Sequence, residues 1–223
     1  MIKWIKNLIN KVKQEIAFRK RLKELKKKDP FIYKLNMEQI KERIKKAFDK
    51  SPKYDLVEMP YIDCKEDPVR PELNLEFRQA YGRKIFGLKD DQNEIAAIIC
   101  FAFTNKVPTT VEEMDTLSRD AAMQAIHRAG VQGDIAIAYT VWSKKKGGGR
   151  AIVNEVYKMV KESSHLNRLV TLSPLTDMAR NFHLKNGAKE LQVNATTQNF
   201  EYDITLEDWE KYLERAKRFF KIR

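Results

Sequence analysis

The sequence predicts a mixed α/β domain, a central sheet flanked by helices, behind a basic helical extension at its N-terminus. Three observations carry this prediction. Runs rich in β-branched and aromatic residues stand at 81–88 (YGRKIFGL), 94–105 (EIAAIICFAFTN) and 134–142 (DIAIAYTVW), and helical spacing follows the last two. Between the third run and its helix lies the string Gly147-Gly148-Gly149-Arg150. The charge is also lopsided: residues 1–50 hold 17 Lys and Arg against 6 Asp and Glu, whereas the remaining 173 hold 26 against 25.

The extension is taken as residues 1–50 and the main domain as 51–223. Ile2, Ile5, Ile9, Val12 and Ile16 recur at spacings of three and four, which puts them on one stripe of a helix whose other faces carry Lys and Arg. Such a stripe, within residues 1–28, packs on the domain or a second copy of the chain, or lies on an anionic membrane surface. Nucleic acid is disfavoured, because Trp4 and Phe18 are the only aromatic residues of 1–28 and no series of them is interleaved with the lysines for base stacking. Asp29-Pro30 ends this helix, and a second, 37–50, stops at Ser51-Pro52. The net charge of +12 therefore belongs to the extension and says little about the domain.

In the domain, 81–88 and 94–105 form a hairpin through the turn Asp90-Asp91-Gln92-Asn93. A helix is expected over 111–128, a strand over 134–142 and, past the glycines, a helix over 151–161. A strand at 168–172 leads through Ser173-Pro174 to a helix over 176–185, which Asn186-Gly187 caps. Strand material follows over 190–204, and a helix over 206–221 closes the chain.

The longest apolar run, residues 95–103, is nine residues, well under the roughly 20 of a membrane-spanning helix. Lysines interrupt every apolar stretch that could serve as a signal peptide, so a cytoplasmic protein is expected. Cys64 and Cys100, 36 positions apart, read as reduced thiols, and no spacing of Cys, His or carboxylates suggests a metal. Glycines between a strand and a helix let backbone N–H groups approach an anion at the positive end of the helix dipole. No Lys-Ser/Thr follows them, so the loop is not a P-loop; Lys144, Lys145 and Arg150 around it suit a ligand with several phosphates, such as coenzyme A. On residues alone the loop is equally a plain turn. Likewise Ser173 is a strand-ending serine, His183 a buried structural histidine and Tyr202 a core tyrosine.

Strand, basic glycine loop, helix, strand and a helix ending in Asn-Gly is the order of the GCN5-related acetyltransferase fold, and Lys144-x-x-Gly147-x-Gly149 resembles its pyrophosphate loop. Residues 135–142 (IAIAYTVW), 170–174 (VTLSP), 177–188 (DMARNFHLKNGA) and 199–203 (NFEYD) resemble, in this order, segments of the malonyl-CoA decarboxylase family. The likeness covers about 75–204, and its most specific part is Phe182-His183-Leu184-x-Asn186-Gly187-Ala188. The chain departs from that family in having nine residues where the family has a long helical insertion between its serine and histidine. Where the family has a large N-terminal helical oligomerisation domain, only the basic segment is expected here.

The resemblance implies catalytic roles for Ser173, His183 and Tyr202. It places the thioester along Tyr139, Val141 and Trp142, and the phosphates on Lys144, Lys145, Gly147, Gly149 and Arg150. The implied reaction is decarboxylation of malonyl-CoA, or a close malonyl thioester, to acetyl-CoA and CO2, with no cofactor beyond the coenzyme A of the substrate. Ser173 would grip the carboxylate, and Tyr202 would orient either Ser173 or His183. His183 would serve as acid or polarising donor because an imidazole titrates near neutral pH. Two other functions use the same loop: an N-acetyltransferase taking acetyl-CoA, and a non-catalytic acyl-CoA-binding protein. A serine hydrolase is set aside, since no Gly-x-Ser-x-Gly elbow is present.

Overall fold

The computed structural model describes residues 54–127 and 132–205 and, before them, only Lys20, Glu24 and Lys27, which are helical. The helices expected over the opening stripe, over 37–50 and over 206–221 lie outside the described residues. The chain divides into units of residues 1–51 and 52–223, and every described strand belongs to the second.

Eight strands make one sheet. They are β1 (Asp55–Glu58), β2 (Lys84–Lys89), β3 (Ile95–Thr104), β4 (Ile135–Ser143), β5 (Arg168–Thr171), β6 (Ser173–Pro174), β7 (Lys189–Val193) and β8 (Thr197–Tyr202), ordered β1-β2-β3-β4-β5-β8-β6 with β7 on β8. Every pairing is antiparallel except β4 with β5. That parallel pair needs a crossover, and α3 (Gly148–Glu162) supplies it. The other α-helices described in this unit are α1 (Leu75–Gln79), α2 (Val111–His127) and α4 (Asp177–Lys185).

Alternation along β3 divides the core between the two faces. Ala97, Ile99 and Phe101 meet Ile152, Val153 and Val156 of α3 on one face. Ile98, Cys100 and Ala102 meet Met114 of α2 and the partly buried Leu75 and Phe77 of α1 on the other. The turn expected at 90–93 closes the β2–β3 hairpin: Asp90 Oδ1 accepts from the N–H groups of Gln92 and Glu94, and Asn93 takes φ 65°.

Several expected boundaries move for identifiable reasons. β2 begins at Lys84 rather than 81, because Tyr81 (φ 52°) and Gly82 (φ 70°) turn the chain first. α3 begins at Gly148, so two of the three glycines are helix rather than loop. Gly148 is required there, since a Cβ would stand 2.3 Å from the Ala96 carbonyl oxygen, and Gly147 (φ 88°) makes the left-handed step before it. The strand material after 190 is a hairpin, β7 and β8. The short elements β1, α1 and β6 were not anticipated.

Candidate active site

The site begins where the sheet comes apart. β4 and β5 pair only over residues 135–138 and 168–171, and their last backbone bond runs from Leu172 N–H to Ala138 O at 2.9 Å. Beyond it β4 keeps β3 on one edge and, among the described residues, no strand on the other. β4 is also bulged here: Cys100 pairs with Thr140 but Phe101 with Ala138, leaving Tyr139 as the extra residue. The bulge reverses the alternation. Ile135, Ile137 and Tyr139 face α2, whereas beyond it Trp142 faces α2 and Val141 packs on the α3 side. Val141 and Trp142 thus both reach the cavity that fills the gap, together with Tyr139.

Ser173 and His183 meet across this gap. Thr176 caps α4, its Oγ1 accepting from Ala179 N–H, and a Schellman closure ends it. In that closure Ala188 N–H donates to His183 O and Gly187 N–H to Leu184 O, with Gly187 at φ 94°. The helix is thereby held at both ends, and His183 Nε2 lies 2.8 Å from Ser173 Oγ. Tyr202, on β8, places its hydroxyl 3.0 Å from His183 Nδ1. Ser173 Oγ also lies 3.2 Å from Thr171 Oγ1, which accepts from Phe200 N–H. The ring of Phe200 stacks on the imidazole with centroids 5.1 Å apart, and Phe182 meets it edge-on. Three groups from three elements therefore form one hydrogen-bonded chain, with Ser173, His183 and Tyr202 only 5%, 6% and 4% exposed.

Burial corrects one expectation. An imidazole poised near neutrality was anticipated, but enclosure among aromatic rings pushes His183 down to about 3. Its charged form would be desolvated with no anion beside it, so the ring is neutral at physiological pH and exchanges hydrogen bonds at both nitrogens.

The cavity has a volume of about 520 Å³. Its walls include Val153, Val156 and Leu169 from the core and Phe182 and Met178 from α4, and none of its lining residues is Asp, Glu, Lys or Arg. Gly149 lines it too, packed so closely that an added Cβ would lie 2.9 Å from Ser143 Oγ. Above it, the N–H groups of Lys146, Gly147 and Gly149 donate to no acceptor among the described residues, while those of Lys144 and Lys145 both donate to Ala96 O. The lysines expected near phosphates are already engaged: Lys144 pairs with Glu66, and Lys145 with Asp90 and Glu94. Those two acids raise the ammonium pKa of Lys145. Arg150 and Lys146 are exposed and form no ion pair with a described residue.

A group of buried charges behind the gap escaped the sequence reading. Arg78 donates to Asp67 Oδ2 at 2.7 Å, and both side chains are fully buried. Asp67 also accepts from Thr140 Oγ1, and Arg70 bonds the carbonyls of Tyr139 and Leu172. In sequence these residues look like an ordinary polar turn, and no local spacing marks them.

No protein-family model matches the chain, and no curated protein does. Solved structures do match. Malonyl-CoA decarboxylase from Rhodopseudomonas palustris superposes with a TM-score of 0.54 at 14% identity, covering 93% of this chain and 68% of that one. The enzyme of the same name from Cupriavidus metallidurans gives 0.52 at 13%, covering 74% of this chain, which spans 63% of that one. The GphF GNAT-like decarboxylase, solved with isobutyryl-CoA, gives 0.50 at 10%, covering 67% of this chain and 99% of that one. The expected fold class is therefore the observed one: the chain has a GNAT-like fold, a mixed α/β sheet flanked by helices. Within that class it is similar in fold to the malonyl-CoA decarboxylases, as the residue resemblance implied.

Proposed function

We propose that the protein decarboxylates malonyl-CoA or a close malonyl thioester. The observation that carries the reading is the Ser173–His183–Tyr202 chain opening on a cavity without charged walls, below a glycine turn with free N–H groups. The likeness in fold to malonyl-CoA decarboxylases supports it.

The pantetheine arm lies in the gap between β4 and β5, and the phosphates sit on the N–H groups of Gly147 and Gly149 with Arg150 beside them. Lys144 and Lys145 reach the phosphates only by leaving their acids. The malonyl carboxylate then enters a cavity with no cation to hold it, so the walls favour its conversion to neutral CO2. The bond from the carboxylate to the α-carbon breaks, and its electron pair passes into the thioester carbonyl as an enolate. Ser173 holds the carboxylate turned out of the thioester plane. Its hydroxyl then donates a proton to the α-carbon, giving the acetyl thioester. His183 replaces that proton from Nε2 while taking the Tyr202 hydroxyl proton at Nδ1, and Tyr202 recovers a proton from water when the products leave, so that one solvent proton is consumed per turnover. An acetyl transfer to an amine would need a base for the ammonium proton, and the cavity walls hold no carboxylate.

Incubation with malonyl-CoA, followed by chromatography of the CoA species, tests the reading. Acetyl-CoA should appear, and should fail to appear with Ser173→Ala or His183→Ala. Free CoA formed from acetyl-CoA only when an amine is present would make the protein an acyltransferase instead. Tight binding of both thioesters without turnover would make it a binding protein.

A further inference from the structure

Where two parallel strands part, their facing backbone groups lose their partners. Here Leu172 N–H donates to Ala138 O in the last backbone bond, and the next groups to meet the gap are two carbonyls, those of Tyr139 and Leu172. Buried carbonyls facing one another need donors between them. Arg70 supplies both: Nε donates to Tyr139 O at 2.9 Å and Nη2 to Leu172 O at 3.0 Å. Arg70 is 8% exposed. A guanidinium is planar, and its donors stand at a fixed separation that a lysine ammonium cannot reproduce.

The loop that presents Arg70 is itself fastened to the bulge. Asp67 Oδ1 accepts from Val69 N–H at 2.8 Å and Arg70 N–H at 3.2 Å, and the same carboxylate binds Arg78 and the Thr140 hydroxyl. Thr140 follows Tyr139, and Leu172 precedes Ser173. The carbonyls that Arg70 holds thus belong to the peptide units 139–140 and 172–173, one on each lip of the gap.

We propose that Arg70 is a positioning residue, whose guanidinium fork replaces the strand ladder between β4 and β5 and so sets the distance from the thioester seat to Ser173 and His183. Its kinetic consequences rest on the function proposed above; its effect on Ser173 does not. Arg70→Lys keeps the charge and loses the fork, and Arg70→Ala loses both.

The experiment reads three quantities: the imidazole nitrogen NMR signals of His183, acetyl-CoA binding by calorimetry, and kcat and KM for malonyl-CoA. With Arg70→Lys the Nε2 signal should move, because Ser173 shifts against it, while the Kd for acetyl-CoA stays within about threefold. The kcat should fall roughly 10- to 100-fold, the range of a hydrogen bond to a charged group, with little change in KM. Methylguanidinium should restore part of the kcat of Arg70→Ala and none of that of Ser173→Ala. An unchanged Nε2 signal in Arg70→Lys would overturn the proposal. So would a joint fall of kcat, acetyl-CoA binding and melting temperature that methylguanidinium does not reverse, since Arg70 would then only hold the fold. If the unmodified chain leaves malonyl-CoA intact, the proposed reaction is wrong, and the His183 signal still decides for or against Arg70.

Discussion

Acid should unfold this domain earlier than its carboxylates alone would dictate, and His183 is the reason. Burial holds its native pKa at about 3, whereas in the unfolded chain it returns to 6.5. Below pH 6.5 the unfolded chain therefore binds a proton that the folded chain refuses, and stability is lost as pH falls. Above pH 6.5 the two states bind equally and the loss vanishes. Each pH step below 6.5 costs about 1.4 kcal/mol, so lowering the pH to 5 removes about 2 kcal/mol through this one residue. Urea unfolding at pH 7.5, 6.0 and 5.0, for the unmodified chain and for His183→Gln, isolates it. Subtracting the variant cancels every other titrating group, and the gap between the curves should narrow toward pH 5. A gap independent of pH would refute the reasoning. Proton NMR gives a check that needs no variant: the His183 ring signals should not titrate between pH 7.5 and 5, and an inflection near 6.5 would show an imidazole open to water.

Three other sites give perturbations from the same geometry. Tyr202→Phe keeps the ring beside His183 and removes the hydroxyl at Nδ1; decarboxylation should slow about tenfold or more while urea unfolding shifts by only about 1 kcal/mol. Gly148→Ala drives a methyl group into the Ala96 carbonyl and should destabilise by about 1–3 kcal/mol in thermal unfolding. Gly147→Ala meets open space and should cost about 1 kcal/mol, through its positive φ alone. Removing Lys146 and Arg150 together should raise KM for malonyl-CoA about threefold to tenfold and leave malonyl-pantetheine, which lacks the nucleotide phosphates, unaffected. An equal rise for both thioesters would show that the glycine turn does not hold phosphate.

Much of the sheet was legible because its signals are local. β3 and β4 are long apolar runs, Thr110 marks the start of α2 by accepting from Glu113 N–H, caps mark both ends of α4, and Asp90 to Asn93 is a turn in which the Asp90 side chain bonds nearby backbone. Residues 55–83 were not legible in this way. Their elements are at most five residues long, and nothing in the local sequence distinguishes Arg70 and Arg78 from surface cations. What buries Arg78 is Asp67, 11 residues away, and the Cys100 thiol, 22 away. The bulge at Tyr139 was hidden too, since β4 is apolar on both faces and a reversed alternation leaves no mark in such a run. The proximity of Ser173, His183 and Tyr202 came from the order of matched segments, because no spacing rule brings residues 10 and 19 positions apart to one point.

The features that sequence periodicity missed have a common physical origin. Regular strands and helices satisfy their own backbone, which makes them predictable and also leaves them nothing to offer a ligand. Function needs places where that satisfaction fails. In this domain the β4–β5 ladder stops at Ala138, the bulge turns Val141 across the sheet, and the start of α3 leaves N–H groups without acceptors among the described residues. Each failure is held open by a side chain or a glycine that a regular element would not require: Arg70 between the strands, Gly147 and Gly148 at the helix start. Without the extra residue Val141 would still stand opposite Ile99, on the α3 side, and Trp142 opposite Ile98. What the extra residue adds is its carbonyl, which Arg70 holds at 2.9 Å on the β4 lip of the gap. Deleting Tyr139 should therefore move the His183 Nε2 signal as Arg70→Lys does, since it removes one of the two carbonyls that the guanidinium bridges, and an unmoved signal would show that the bonded pair stands without the broken ladder beside it.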